Sequence, residues 1–184
     1  MENQSSAGSK HLSFRIIEQA FENAGLRYSF NEKNGYYFTE LEKGGSDRPL
    51  LLVIESDPEV PEVVCYCYMA SVEKNWVIKK LQLKYLAVIR EYAAYANVRL
   101  ERGFFKVLYD DKYVWVVCVV GLDYENARID SDVVSEMIDY CANQMFNHTP
   151  AFDSVVIGSK TPDQAIEYFF SEINSRAEQR DIRK

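Results

Sequence analysis

Residues 85–120 read YLAVIREYAAYANVRLERGFFKVLYDDKYVWVVCVV, and a change of period inside them decides the fold. Up to Ala96 the apolar residues recur at helical spacing, with Tyr85, Val88, Ile89, Tyr92 and Ala96 on one side. Beyond Asn97 and Gly103 the pattern turns β-prone. Phe104–Tyr109 and Tyr113–Leu122 are rich in aromatic and β-branched residues, and Asp110-Asp111-Lys112 between them marks a hairpin turn. A helix that leads into a hairpin belongs to an α+β protein built on an antiparallel sheet.

Working back toward the N-terminus, Ile78 and Leu81 prolong the helical stripe, so the spacing predicts a long helix from about Asn75 to Ala96. Leu83, Leu86 and Ala87 form a second apolar patch away from that stripe, and a helix so broadly apolar is expected to be covered on more than one side. Before it lie four β-prone runs: Leu26–Phe30, Tyr36–Leu41, Leu50–Glu55 and Glu62–Ala70. Asn34-Gly35 makes a tight turn, Gly44-Gly45-Ser46 a loop, and the run SDPEVP a further turn. These read as a meander. A first helix, Leu12–Ala24, carries Phe14, Ile17, Ala20 and Phe21 on one side and stops at Gly25.

Toward the C-terminus, Ser131 could cap a third helix bearing Val134, Met137, Ile138, Cys141 and Met145. The run NHTPAFDSVVIGSK then reads as a link. A last helix opens at Thr161 and carries Ile166, Phe169, Phe170 and Ile173. The expected order is helix-βββ(β)-helix-ββ-helix with an extra C-terminal helix. Residues 1–10 read as a flexible polar leader, 11–174 as one domain and 175–184 as a charged tail.

Composition narrows the function. The 184 residues carry a net charge of −7 and a pI near 5.0, which argues against nucleic acid, whose binding draws on lysine and arginine. Hydrophobic residues make up 47%, enough to fill a sizeable core. The polar opening MENQSSAGSK has no signal-peptide pattern, and no run approaches the length of a membrane helix. The four cysteines do not have the paired spacing of a disulfide scaffold, so free thiols in a reducing cytoplasm are expected.

Several motifs invite chemistry and each has a plainer structural reading. In VVCYCYMA (63–70), Cys65, Cys67 and Met69 share one face of a strand and would suit a soft ion such as Cu(I). Packing explains them better, because free cysteine behaves as a small buried hydrophobe and methionine as a gap filler. GSKT (158–161) lacks the glycines of a phosphate loop; Thr161, Pro162 and Gln164 instead spell a capping box. The acids in LDYENARIDSD lack the glycine of a calcium loop. Asp110, Asp111, Asp123 and Asp130 are loose candidates for a carboxylate enzyme, with no spacing that implies a shared site. Only His11 and His148 could serve a histidine mechanism, and there is no G-x-S-x-G. No catalytic residue, metal or cofactor is expected.

The strands carry the functional hint. LLLVI, VVCYCYM and VWVVCVV do not alternate and hold no charge, so both faces must be covered or one must await a partner. If helices cover the cysteine face, the other offers Tyr66, Tyr68 and Trp115, with Leu83 and Leu86 adding a helix surface.

The chain resembles the YbjN-type proteins, described as bacterial sensory-transduction regulators, whose fold is that of type III secretion chaperones. The resemblance rests on residues 85–120 and on SDVVSEMIDYCANQMFNHTPAFDSVVIGSKTPDQAIEYF, and spans Leu12 to Phe170. It implies a non-enzymatic, acidic, dimeric module with no catalytic residues to carry over. The resulting expectation is a cytoplasmic regulator or chaperone-like adaptor that binds a protein or peptide and forms a homodimer. The alternative is a small-molecule sensor with an aromatic-lined pocket between sheet and long helix.

Overall fold

The computed structural model of the chain describes residues 5–42, 49–57, 62–71, 77–78, 80–123 and 129–181. The expected loops at Gly44-Gly45-Ser46 and Pro58–Pro61, the start of the expected second helix and the run 124–128 lie outside the described residues. Helix α1 spans Ser5–Asn23 and ends as expected before Gly25. Strands β1 (Ser29–Asn31), β2 (Tyr36–Leu41), β3 (Leu50–Asp57) and β4 (Glu62–Ser71) follow. Next come the short β5 (Val77–Ile78) and β6 (Leu81–Gln82), a 3-10 turn (Leu83–Tyr85) and α2 (Leu86–Asn97). The hairpin β7 (Phe104–Tyr109) and β8 (Tyr113–Asp123), then α3 (Ser131–Val156) and α4 (Pro162–Asp181), complete the order. It is the α+β order expected, with the extra C-terminal helix.

The sheet runs β1-β2-β3-β4-β8, with every pairing antiparallel. Val114 of β8 pairs with both Tyr109 of β7 and Leu81 of β6, so these two strands lie on opposite sides of β8. β7 is therefore an outer strand, and β6 continues the line of β4. The β1–β2 turn is as read: Gly35 sits at φ 70°, and its N–H donates to Asn31 O at 2.8 Å.

Two expected elements are corrected. The long helix predicted from Asn75 is less than that: its described N-terminal part is strand and 3-10 turn, and α2 starts only at Leu86. Ile78 pairs with Ala70 and Leu81 with Val114. Their apolar side chains fit a ladder as well as a helical stripe, and pairing with existing strands satisfies their backbone groups. The link predicted at NHTPAFDSVV is instead helix. α3 runs through Pro150, which stays exposed, while His148, Thr149, Ala151, Phe152 and Val155 are buried. Thr149 Oγ1 donates to Met145 O at 2.6 Å beside the proline. Burial of that face outweighs the ~3 kcal/mol by which an internal proline disfavours a helix.

Caps follow the side-chain chemistry with one shift. The N-cap of α3 is Asp130 rather than Ser131: Asp130 Oδ1 accepts from Asp132 N at 3.1 Å and Val133 N at 3.0 Å. At α4, Gln164 Oε1 accepts from Thr161 N at 3.1 Å, the expected reach-back of a capping box. Thr161 Oγ1 donates to Asp163 instead of closing the other half.

The outer strand β7 is held from the side by α2. Asn97 Nδ2 donates to Phe105 O at 3.0 Å and Phe105 N donates to Asn97 Oδ1 at 2.6 Å, so one amide side chain imitates a neighbouring strand. The link between them passes Gly103 at φ 67°, where a Cβ would lie 2.3 Å from Val119 O. Only glycine lets the chain come so close there.

Candidate functional site

Strand register sorts the side chains into two faces with different fates. Cys65, Cys67 and Met69 of β4 lie level with Ile54, Leu52 and Leu50 of β3, and Cys67 lies opposite Cys118 of β8. All are buried and all join the single core cluster with α1, α2 and α3. The residues between them, Val64, Tyr66 and Tyr68, do not join it. Nor do Leu51 and Val53, nor Val117 and Val119, although those two valines are themselves buried. Only one face of the sheet belongs to the core, which explains strands without alternation: both faces are apolar, for different reasons.

On the core face the four cysteines of the chain converge. Cys141 on α3 points its S–H at Cys118 O (3.4 Å) and Cys65 O (3.8 Å), between the strands that carry Cys65, Cys67 and Cys118. All four are free and buried. Burial pushes the thiols of Cys65 and Cys67 upward, and contact with the Cys118 and Cys65 thiols raises that of Cys141. The thiolate, which is the nucleophile and the metal ligand, is disfavoured at these three. Among the described residues no group of three or more His, Cys, Asp or Glu is arranged to hold a metal ion.

A second cluster lay beyond the reach of sequence patterning. His148 is fully buried, its Nδ1 2.7 Å from Tyr92 Oη and its ring 3.8 Å from that of Phe169 and 4.8 Å from that of Phe105. Phe152 packs edge-on against Tyr92 (4.6 Å) and Phe105 (5.4 Å). His148 Nε2 has no hydrogen-bond partner, and burial lowers the imidazole pKa to about 3. A neutral, aromatic-packed histidine is a core residue. The space between sheet and α2, where an aromatic pocket was expected, is occupied by these rings packing on one another. A cleft of about 600 Å³ lies elsewhere, between Gly25–Ser29 and Phe38–Glu42.

Two of the loose carboxylate candidates, Asp110 and Asp130, are used locally. Asp110 Oδ1 accepts from Lys112 N (2.9 Å) and Tyr113 N (2.8 Å) in the β7–β8 turn, and these bonds hold its pKa low. Asp130 caps α3. The side chain of Asp123 lies outside those described.

The second face is the candidate site. Reading across the strands, one row is Ser29, Phe38, Val53, Tyr66, Val119 and Phe104, and the next is Glu40, Leu51, Tyr68, Val117 and Lys106. Trp115 and Leu108 stand beyond, with Lys80 Nζ 5.5 Å from the Trp115 ring and 5.6 Å from that of Tyr113. Tyr66 and Tyr68 are half-buried. Partial burial and then Glu55 and Glu62 raise the phenol of Tyr66, and burial followed by Glu55 pushes that of Tyr68 up to about 12. Both therefore present an O–H at neutral pH. The register places Tyr66, Tyr68 and Trp115 on one face of the sheet. Leu83 lies in the 3-10 turn, and Leu86, the first residue of α2, packs against the core.

No described helix is long and apolar enough to cross a membrane. No protein-family model matches the chain, and no curated protein matches it. Among solved structures the chain is similar to the crystal structure of YbjN from E. coli, at 11% identity and a TM-score of 0.48, over 79% of this chain and 90% of that one.

Proposed function

We propose that the protein works by binding rather than by catalysis, as a regulator or chaperone-like adaptor that takes a polypeptide on the face bearing Tyr66, Tyr68 and Trp115. One observation carries this reading: a sheet face rich in aromatic and aliphatic side chains takes no part in the core cluster. Apolar surface of that kind gains by being removed from water, and tyrosine hydroxyls among it can bond a partner's backbone. The acidic chain disfavours a nucleic-acid occupant. Self-association into a homodimer belongs to the same reading, and so does a cytoplasmic location. Leu83 and Leu86 would extend the contact onto the start of α2, and substitutions there test that extension separately.

Photo-crosslinking tests the proposal. A benzophenone amino acid at position 66 or 115 is expected to attach to a polypeptide inside cells, while the same probe at exposed Tyr168 on α4 is not. Absence of any polypeptide adduct at 66, 68 and 115 refutes the reading. A metabolite that raises the melting temperature of the chain and is blocked by substitutions at the cleft near Phe38 and Glu42 would favour a small-molecule sensor instead.

A further inference from the structure

The open part of this face is its β2–β4 half. Val117 and Val119 are already buried within the chain, whereas Tyr36, Phe38, Val53, Tyr66 and Tyr68 are half-buried and Glu55 and Glu62 are exposed. Charge is unevenly spread over the face. Lys106 and Lys80 stand on the β7–β8 side. On β2, β3 and β4 every charged position of the face is an acid: Glu40, Glu55, Asp57 and Glu62. Glu55 lies between Tyr36 of β2 and Val64 of β4, one row from Tyr66. In the next row Asp57, Glu62 and Asp123 occupy directly opposite positions on β3, β4 and β8. Like charges so placed destabilise a sheet, so folding gains nothing from that row. Gly121 leaves the space beside Glu62 open, since a Cβ there would lie 3.0 Å from Glu62 Oε1. Among the described residues no lysine or arginine pairs with Glu55 or Glu62.

We infer that the polypeptide taken by this face bears arginine: it sets guanidinium groups on Glu55 and Glu62, beside the rings of Tyr36 and Tyr66, and lays apolar side chains on Phe38, Val53 and Tyr68. The inference rests on the docking reading above and names the chemistry of the partner. A guanidinium is planar, stacks on an aromatic face and bonds a carboxylate through two parallel N–H groups, so it uses the rings and the acids together. A lysine ammonium is a point charge that gains little from the rings' flat faces. The receptor is partly fixed in advance. Asn31 Nδ2 donates to Tyr36 Oη at 3.1 Å and holds that ring, and Glu55 and Glu62 stand close enough to Tyr66 to raise its phenol. Successive rows of one face lie about 7 Å apart along a strand, so the arginines and the apolar residues of the partner stand about 7–14 Å apart. That span is about two turns of helix or four residues of extended chain. Arginine bound here also relieves the repulsion along the row of Asp57, Glu62 and Asp123, a cost that the free protein carries.

Selection of short random peptides, displayed on phage, against the immobilised full chain tests the inference. The enriched peptides are expected to carry arginine close to leucine, phenylalanine or tryptophan. By fluorescence anisotropy, the dissociation constant of such a peptide should rise about tenfold or more on Glu55→Gln/Glu62→Gln, and about threefold or more when its arginines are replaced by lysine. Neither carboxylate serves the fold, so the double variant should melt no lower than the wild type. A lower melting temperature assigns the two acids to the structure and overturns the inference. Enriched peptides without arginine, or an affinity unchanged in the double variant, overturn it too, as does a wild type that self-associates through position 66 and takes up no peptide. If polypeptides of another composition still crosslink to a benzophenone at position 66, the docking reading survives without the arginine; if nothing crosslinks there, both fall.

Discussion

Acid should find the weak point of this fold at His148. In the unfolded chain its imidazole takes up a proton below pH 6.5, whereas in the folded chain burial holds that uptake back to about pH 3. Between those values the unfolded state carries one more proton than the native state, so stability falls as pH falls, by about 1.4 kcal/mol per pH unit. From pH 6.5 to 4.5 the loss amounts to about 2.3 kcal/mol, a large part of the stability of a domain this size. Nothing described beside the ring offsets it: the rings against it are those of Tyr92, Phe105 and Phe169, none of them a carboxylate. The many surface acids titrate too, so the measurement must be a difference. Urea unfolding of the wild type and of Tyr92→Phe/His148→Phe should be followed from pH 7 to 4.5. The double substitution removes both members of the buried hydrogen bond and so leaves no orphaned hydroxyl. Over that range the wild type is expected to lose about 2.5 kcal/mol more than the variant. Parallel curves refute the reasoning, as does an imidazole resonance for His148 that titrates near pH 6.5 in the folded protein.

Four further outcomes rest on the packing. Asn97→Ala removes both bonds to Phe105 and should lower stability by about 1–3 kcal/mol, and Asn97→Asp should be no better, since a carboxylate cannot donate to Phe105 O; thermal or urea unfolding measures both. Gly103→Ala should destabilise by at least about 2 kcal/mol, because the positive φ and the contact with Val119 O must both be relieved; an unchanged midpoint would contradict the close approach. Cys67→Ser places a hydroxyl in an apolar site and should lower stability by about 1–3 kcal/mol, whereas Cys141→Ser, with two carbonyls already in reach, should lose less than half as much. Native protein should contain no stoichiometric copper or zinc by elemental analysis, and its thiols should react with an aromatic disulfide only after denaturant is added.

Much of the architecture is legible in the sequence because local signals agreed with tertiary ones. Asn34-Gly35, Gly25 and the Thr161–Gln164 box sit where they were read, and the period-two reading of β4 separated Cys65 and Cys67 from Tyr66 and Tyr68 as the register does. Legibility failed where one pattern suited two structures. Ile78 and Leu81 fit a helical stripe and a strand ladder equally, and only their pairing with Ala70 and Val114 decides between them. It failed again at Pro150, where the local rule predicts a break and burial of Phe152 and Val155 carries the helix onward. The His148 cluster could not be read at all. Its members come from α2, β7, α3 and α4, and no spacing along one element brings them together. The convergence of the four thiols was missed for the same reason, though each was rightly read as packing.

The amide of Asn97 on Phe105 has a consequence for how such chains could polymerise. Fibre growth by strand addition needs a donor margin and an acceptor margin on every subunit, so that each newcomer offers a fresh template. Here one margin of the sheet is already answered, at Phe105, by a side chain of the same molecule. A strand that annealed at β1, on the opposite margin, would find no equivalent vacancy at Phe105 for the following subunit. One asparagine thus holds the ladder position at Phe105, and a strand annealing along β7 would have to displace it there.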